Sequence, residues 1–135
     1  MQADNYVLGM IGLGTMGRNL LLNMADHGFR VAGYDKDTAK VRQLADEAPQ
    51  GVQVKGFDDL KTFIGSLQKP RAVMMLVPAG KIVDNVIAEV APLLDAGDLI
   101  IDGGNSHFSD TNRRVVELSQ KGLHFFGMGI SGGEE

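Results

Sequence analysis

The chain has 135 residues, with 13 basic and 17 acidic side chains, a formal net charge of −4 and no cysteine. This length suits one domain with its own core. The acidic balance opposes non-specific nucleic-acid binding, which needs a basic surface. The missing cysteines exclude disulfides and Cys-based zinc sites. No apolar run is long enough to cross a membrane, and the polar start, Met1 to Asn5, lacks the basic region of a signal peptide. We therefore expect a cytoplasmic domain without nucleic-acid, metal or membrane partners.

Apolar runs alternate with helical patterns along the whole chain. Strands are predicted over residues 6–11, 29–34, 52–54, 72–77, 99–101 and 123–126. Helices are predicted between them, over residues 16–27, 38–48, 57–67, 81–94 and 109–121. The runs 72–77 and 99–101 lack polar alternation, which is typical of parallel strands that helices cover on both faces. With right-handed crossovers, this order predicts an α/β fold with a Rossmann-like, doubly wound, mainly parallel sheet.

Three details of the helices follow from their charges and prolines. Asp58 and Asp59 are expected in the first turn of the third helix, where the helix dipole favours acidic side chains. Pro92 is expected to shorten the fourth helix. In the fifth helix, the charged side chains are expected to form one solvated face; they are Asp110, Arg113, Arg114 and Glu117.

A glycine-rich turn joins the first strand to the first helix, and its residues are Gly12, Leu13, Gly14, Thr15, Met16 and Gly17. Gly12 permits the tight turn, Gly14 lets a pyrophosphate approach the backbone, and Gly17 lets the helix pack on the strand. The free N–H groups of the helix N-terminus favour an anion there. The pattern predicts a dinucleotide site. A ligand-free turn and a site for another adenosyl ligand, such as a methyl donor, are the alternatives.

Asp35 ends the second strand, about 20 residues after the turn, where a carboxylate can accept hydrogen bonds from an adenosine ribose. A 2′-phosphate, as in NADP, would face like charge, at a cost of up to about 4 kcal/mol before screening. Asp37 adds negative charge, whereas Lys36 has the opposite effect. The residues therefore favour NAD over NADP, with an ordinary solvated turn as the alternative.

Three further loops follow strands and are expected at the same edge of the sheet. Val77, Pro78 and Ala79 would border the coenzyme. Asn105 has the donor and acceptor capacity that a substrate hydroxyl or a coenzyme amide needs. Backbone N–H groups of Ser131, Gly132 and Gly133 could face an anion such as a carboxylate. Each loop could also be a plain turn.

With these loops in place, the chain resembles the N-terminal domain of the 6-phosphogluconate dehydrogenase family, within the wider β-hydroxyacid dehydrogenase group. The segments that carry the resemblance are 11–20, 75–80, 98–106 and 127–135, with Asp-Gly-Gly-Asn-Ser and Ser-Gly-Gly-Glu-Glu as the specific pair. The resemblance covers essentially the whole chain.

The resemblance implies that residues 1–135 are an NAD(P)-binding Rossmann domain of an enzyme that oxidises 6-phosphogluconate and releases CO₂ to give ribulose 5-phosphate in the pentose phosphate pathway. It also implies that Asn105, Ser131, Gly132 and Gly133 contact substrate, that Asn105 and Glu134 border the coenzyme, and that Met16 lies near the nicotinamide ring.

The catalytic groups are expected elsewhere. The resemblance implies that the family's catalytic lysine and glutamate lie beyond Glu135, in a helical domain that also forms the homodimer. No residue of this chain can be assigned their roles. We therefore expect coenzyme binding without turnover.

Two departures from the family pattern bear on the coenzyme. Many members have Asn-Arg-Thr where this chain has Asp35, Lys36 and Asp37, and many have Lys at the position of Pro78. Both departures favour NAD, or use of both coenzymes. Another β-hydroxyacid dehydrogenase and a non-catalytic dinucleotide-binding module are the alternative functions.

Overall fold

The computed structural model describes residues 5–78, 80–104 and 108–127. Its centre is a six-stranded sheet with the strand order β3-β2-β1-β4-β5-β6. Each neighbouring pair of strands is parallel. The strands are β1 (Leu8–Ile11), β2 (Val31–Tyr34), β3 (Val54–Phe57), β4 (Ala72–Met75), β5 (Leu99–Asp102) and β6 (His124–Gly127). The predicted Rossmann-like fold is confirmed, because this is the strand order of a doubly wound dinucleotide-binding sheet.

Helices follow each of the first five strands. They are α1 (Thr15–Asp26), α2 (Thr38–Glu47), α3 (Leu60–Gly65), α4 (Lys81–Val90) and α5 (Phe108–Ser119). None of these described helices is long and apolar enough to span a bilayer.

Two apolar clusters lie on opposite faces of the sheet. One contains Leu21 and Ala25 of α1 and Leu44 of α2. The other contains residues of α3, α4 and α5, among them Phe63 and Val83. The central strands alternate between the clusters, so Val73 belongs to one and Met74 to the other. This two-sided burial explains why the strand sequences are apolar without alternation.

The predicted bounds of the third strand and third helix are wrong. The strand was expected over residues 52–54, but β3 is Val54–Phe57 and pairs along the whole of β2, from Val31↔Val54 to Tyr34↔Phe57. Phe57 lies at the end of β3 and packs on Phe63, with ring centroids 6.0 Å apart. That contact is tertiary, so the local sequence pattern does not reveal it.

The third helix was expected over residues 57–67, but α3 is Leu60–Gly65. Asp59 is therefore the N-cap rather than a first-turn residue, and Asp58 lies outside the helix. The Asp59 carboxylate accepts hydrogen bonds from the Thr62 N–H at 2.9 Å and the Thr62 hydroxyl at 2.6 Å. This cap starts the helix after the aspartates.

The effect expected of Pro92 is confirmed. The α-helix ends at Val90, and Ala91–Leu93 continue as one 3₁₀ turn. Proline has no N–H for an α-helical hydrogen bond, and its ring clashes with the preceding turn.

Candidate functional site

The strand order reverses between β1 and β4, which pair from Gly9↔Val73 to Ile11↔Met75. Their following loops leave the sheet in different directions, because α1 and α4 pack on opposite faces. Ligands of doubly wound sheets bind in the crevice that this divergence opens at the carboxyl ends of the strands. The glycine turn after β1 and the residues after β4 therefore border the candidate site.

The glycine turn has the backbone geometry that the sequence predicted. Gly12 has φ of +101°, and a Cβ there would overlap the carbonyl oxygen of Leu76. A Cβ on Gly17 would overlap the carbonyl oxygen of Gly12. Both glycines are therefore required by the packing of the protein itself.

Gly14 differs, because a Cβ there would meet no protein atom within 4 Å. It is the N-cap of α1, with φ −66° and ψ −174°, a backbone conformation that other residues adopt. Nothing in the described part of the fold requires glycine here, and the open space lies where the α1 N–H groups begin. This is the space a pyrophosphate would need.

Asp35 is tied to the glycine turn. Its Oδ2 accepts a hydrogen bond from the Leu13 N–H at 2.8 Å, and its Oδ1 accepts one from the Asp37 N–H at 2.9 Å. A carboxylate has about four lone-pair directions, so each oxygen can accept a further hydroxyl. The two bonds set the orientation of the carboxylate before any ligand arrives.

A cavity of about 180 Å³ lies beside Asp35. Its walls are mainly apolar and come from β1, β2, α3, α4 and the loop after β4; they include Leu60, Val77, Ile82 and Val86. Ile82 is 46% exposed although it is a large apolar residue. An exposed apolar wall next to a carboxylate suits a flat base with a ribose attached.

Negative charges act on the cavity. Burial raises the pKa of the Tyr34 hydroxyl, and the negative charges of Glu89 and Asp35 raise it further. Lys36 lines the same cavity, but its Nζ lies 3.4 Å from Glu89 Oε2.

The second half of the predicted site is only partly within the described residues. Val77 and Pro78 follow β4, and Gly104 lies against Val77, since a Cβ on Gly104 would be 3.1 Å from the Val77 carbonyl oxygen. The loops after β4 and β5 therefore meet. The other predicted site residues lie outside the described residues; they are Ala79, Asn105, Ser131, Gly132, Gly133 and Glu134.

The expected position of the catalytic groups also lies outside the described residues. The lysine and glutamate were predicted beyond Glu135, and the described part of the chain ends at Gly127. The position of these two residues therefore stays a prediction.

One charged residue of α5 does not lie where the sequence pattern predicts it. Arg114 was expected on a solvated face, but it is 1% exposed. Its Nε donates to Asp84 Oδ1 at 2.9 Å and its Nη2 donates to the Gly80 carbonyl oxygen at 3.3 Å. Its Nη1 lies 3.9 Å from Oδ2 of the buried Asp102. Arg114 therefore joins the start of α4 to the end of β5.

The sequence contains only a weak indication that Arg114 and Asp102 form a buried cluster. Asp102 ends a fully apolar strand, and a buried carboxylate needs a cation or N–H donors. The Asp102 Oδ1 accepts the Gly104 N–H at 2.9 Å, and the Arg114 guanidinium faces its other oxygen. Which arginine would approach could not be read from the sequence, since Arg113 and Arg114 are neighbours.

The strand order, the glycine turn at the switch point and the acid at the end of β2 define the class of dinucleotide-binding domains. A family model described as the NAD binding domain of 6-phosphogluconate dehydrogenase matches residues 7–135. The chain therefore belongs to this family.

Individual relatives agree with the family match. The chain is 51% identical over 128 residues to the decarboxylating 6-phosphogluconate dehydrogenase of Aggregatibacter actinomycetemcomitans, covering 95% of this chain and 26% of the relative. It is 50% identical over all 135 residues to decarboxylating 6-phosphogluconate dehydrogenase 1 of Saccharomyces cerevisiae, covering 27% of that protein. The chain thus spans about a quarter of the length of these curated relatives.

Solved structures show the same likeness. Plasmodium falciparum 6-phosphogluconate dehydrogenase, described in its apo form and in complexes with its cofactor NADP⁺ and its substrate 6-phosphogluconate, is 34% identical with a TM-score of 0.88. The match covers 94% of this chain and 27% of that one. Mycobacterium tuberculosis 3-hydroxyisobutyrate dehydrogenase is 21% identical with a TM-score of 0.79, covering 96% of this chain and 42% of that one, and shows the fold alone.

Proposed function

We propose that this chain is the coenzyme-binding domain of a 6-phosphogluconate dehydrogenase that oxidises and decarboxylates its substrate with a nicotinamide dinucleotide. The family match and the relatives support the reaction. The observation that carries the coenzyme site is Gly14, because its open face at the α1 N-terminus has no role in the packing of the described protein.

In this proposal, the pyrophosphate lies on the N–H groups at the start of α1, and the adenine occupies the apolar cavity beside Ile82. The Asp35 carboxylate accepts the ribose hydroxyls, with its orientation set by the Leu13 N–H. Met16 is 46% exposed in the first turn of α1, which leaves its side chain available to a nicotinamide ring.

The coenzyme is NAD or NADP, and the described residues favour NAD. The Asp35 carboxylate lines the cavity proposed for the adenosine, and a 2′-phosphate there would meet its negative charge. The Plasmodium falciparum relative is described with NADP⁺, so the preference has to be measured on this chain rather than transferred.

The substrate half of the proposal rests on residues outside the described ones. Asn105, Ser131, Gly132 and Gly133 would bind 6-phosphogluconate, and Asn105, Ala79 and Glu134 would border the coenzyme. The bound coenzyme supplies the hydride acceptor, and the chain orients it.

The proposal places the chemistry of proton transfer outside this chain. The catalytic lysine and glutamate expected of the family would lie in a helical domain beyond Glu135. We therefore propose that the chain binds coenzyme without turning over substrate. The homodimer and the cytoplasmic location stay predictions.

Calorimetric titration with NAD⁺ and NADP⁺ tests the coenzyme site, with Gly14→Ala as the decisive variant. The added methyl meets no protein atom, and alanine is less favourable than glycine at a helix N-cap, so the free energy of unfolding should fall by about 1 kcal/mol or less. The methyl enters the space proposed for the pyrophosphate, so affinity should fall about tenfold or more. Gly65→Ala is the matched control, because Gly65 also has open space around its Cβ position but lies in α3. Equal affinities for Gly14→Ala and the parent chain would refute the proposed site.

Asp35→Asn tests the coenzyme preference. The amide oxygen can still accept the Leu13 N–H, whereas the amide nitrogen cannot accept the Asp37 N–H, and the negative charge is removed. NADP⁺ binding should tighten relative to NAD⁺ binding. Tighter binding of NADP⁺ than of NAD⁺ by the parent chain would contradict the preference.

A further inference from the structure

Glu89 lies on the last turn of α4 and lines the same cavity as Asp35 and Lys36. It is separated from Lys36 by 53 residues in the chain. No motif places it near the coenzyme, because helix α4 reaches the cavity only after the crossover from β4 has packed on the sheet.

The contact between Glu89 and Lys36 changes what the cavity offers to a ligand. Lys36 is the one cationic side chain among the described residues that line the cavity, and its Nζ lies 3.4 Å from Glu89 Oε2. Lys36 is 71% exposed and Glu89 is 47% exposed, so both side chains are within reach of solvent and of a ligand at the cavity mouth.

Glu89 also acts on the cavity through its charge. Burial raises the pKa of the Tyr34 hydroxyl at the end of β2, and the Glu89 carboxylate raises it further, by more than Asp35 does. The same field acts on any anion that enters between Tyr34 and Asp35.

We propose that Glu89 is a coenzyme-discriminating residue, which disfavours a 2′-phosphate by engaging the Lys36 ammonium and by adding a second negative charge beside Asp35. The inference rests on the proposed coenzyme site and deepens it. A neutral 2′-hydroxyl loses nothing from this arrangement, since it needs only the Asp35 carboxylate as acceptor. A 2′-phosphate meets two acids, and the cation that could neutralise it is already held.

The expected size of the effect follows from the exposure of the pair. Charges near the surface interact through a high effective dielectric and are screened by salt. Removing the Glu89 charge should therefore change the ratio of NADP⁺ to NAD⁺ affinity by about fivefold at low salt. The change should shrink as salt is added, which a purely structural role of Glu89 would not produce.

The experiment is calorimetric titration of both coenzymes into the parent chain, Glu89→Gln and Glu117→Gln. Glu117 is the matched control, since it is a helical glutamate that is 58% exposed and pairs with Arg113 at 3.4 Å, away from the cavity. Glu89→Gln should shift the ratio towards NADP⁺ by about fivefold, mainly through tighter NADP⁺ binding. Glu117→Gln should leave the ratio unchanged.

A second pair of variants separates the two contributions of Glu89. In a Lys36→Gln background, Glu89→Gln should shift the ratio less, because there is no ammonium to release. A ratio for Glu89→Gln within about twofold of the parent would overturn the inference while leaving the coenzyme site intact. A parent chain that binds neither dinucleotide would overturn the proposed function and this inference with it.

Discussion

Replacing the buried Arg114 with methionine should strongly destabilise the domain. Methionine keeps most of the apolar stem but removes the guanidinium that faces Asp84, Asp102 and the Gly80 carbonyl oxygen. Breaking a buried ion pair by removing one partner costs about 3–5 kcal/mol. Because Asp84 is partly solvated, with 39% of its side chain exposed, we expect the lower end, about 3 kcal/mol.

For a domain of this size, such a loss should lower Tm by about 10 °C or more. The assay is thermal unfolding followed by circular dichroism, with urea unfolding for the free energy. Arg113→Met is the matched control on the same helix. The Arg113 side chain is 43% exposed and its acidic partners are exposed too, so Tm should fall by about 3 °C or less.

A second substitution tests the cause. Adding Asp102→Asn to Arg114→Met removes the buried negative charge that the guanidinium faces, so part of the lost stability should return. If Arg114→Met unfolds within a few degrees of Arg113→Met, the buried cluster does not stabilise the domain as reasoned. If Asp102→Asn lowers the free energy of unfolding of Arg114→Met as much as it lowers that of the parent chain, the loss in Arg114→Met does not come from the ion pair with Asp102.

The remaining predictions concern other parts of the chain. The hydrogen bond from Arg114 lowers the pKa of Asp84 from its ordinary value of 3.8. The ionised Asp84 therefore stabilises the folded domain above pH 3.8, and this stabilisation is lost as the pH falls further. The stability gap between the parent chain and Arg114→Met should therefore narrow in urea unfolding at pH 3 relative to pH 7, and a constant gap would contradict this. Asp59→Ala removes the α3 cap and should speed amide exchange at Thr62 about fivefold. Asp58→Ala, outside the helix, should leave that exchange rate unchanged.

Much of the fold was predictable because local and global preferences agree. The apolar runs of β4 and β5 have no polar alternation, and each is followed by a helical pattern, which in a compact chain leads to parallel strands with right-handed crossovers. Errors arose where a tertiary contact overrode the local pattern. Phe57 was expected to start a helix, but pairing with Tyr34 and packing on Phe63 place it in β3.

The glycine turn was also predictable, since two glycines of its motif have a backbone reason to be there. Gly12 needs a positive φ and Gly17 lies against a carbonyl oxygen. These demands come from residues close in sequence, so a motif records them. The contacts of long charged side chains cannot be predicted in this way, because their partners come from distant segments with no fixed spacing in the sequence.

The sequence by itself thus determined the class of fold, the glycine turn and the acid at the end of β2. Only the tertiary structure decided that Arg114 is buried against Asp102 and that Glu89 reaches Lys36 across the cavity. The physical reason is the same in both cases. The sequence of a helix predicts its charged side chains to be solvated. Which of these charges face each other is set only by the packing of α4 and α5 on the sheet.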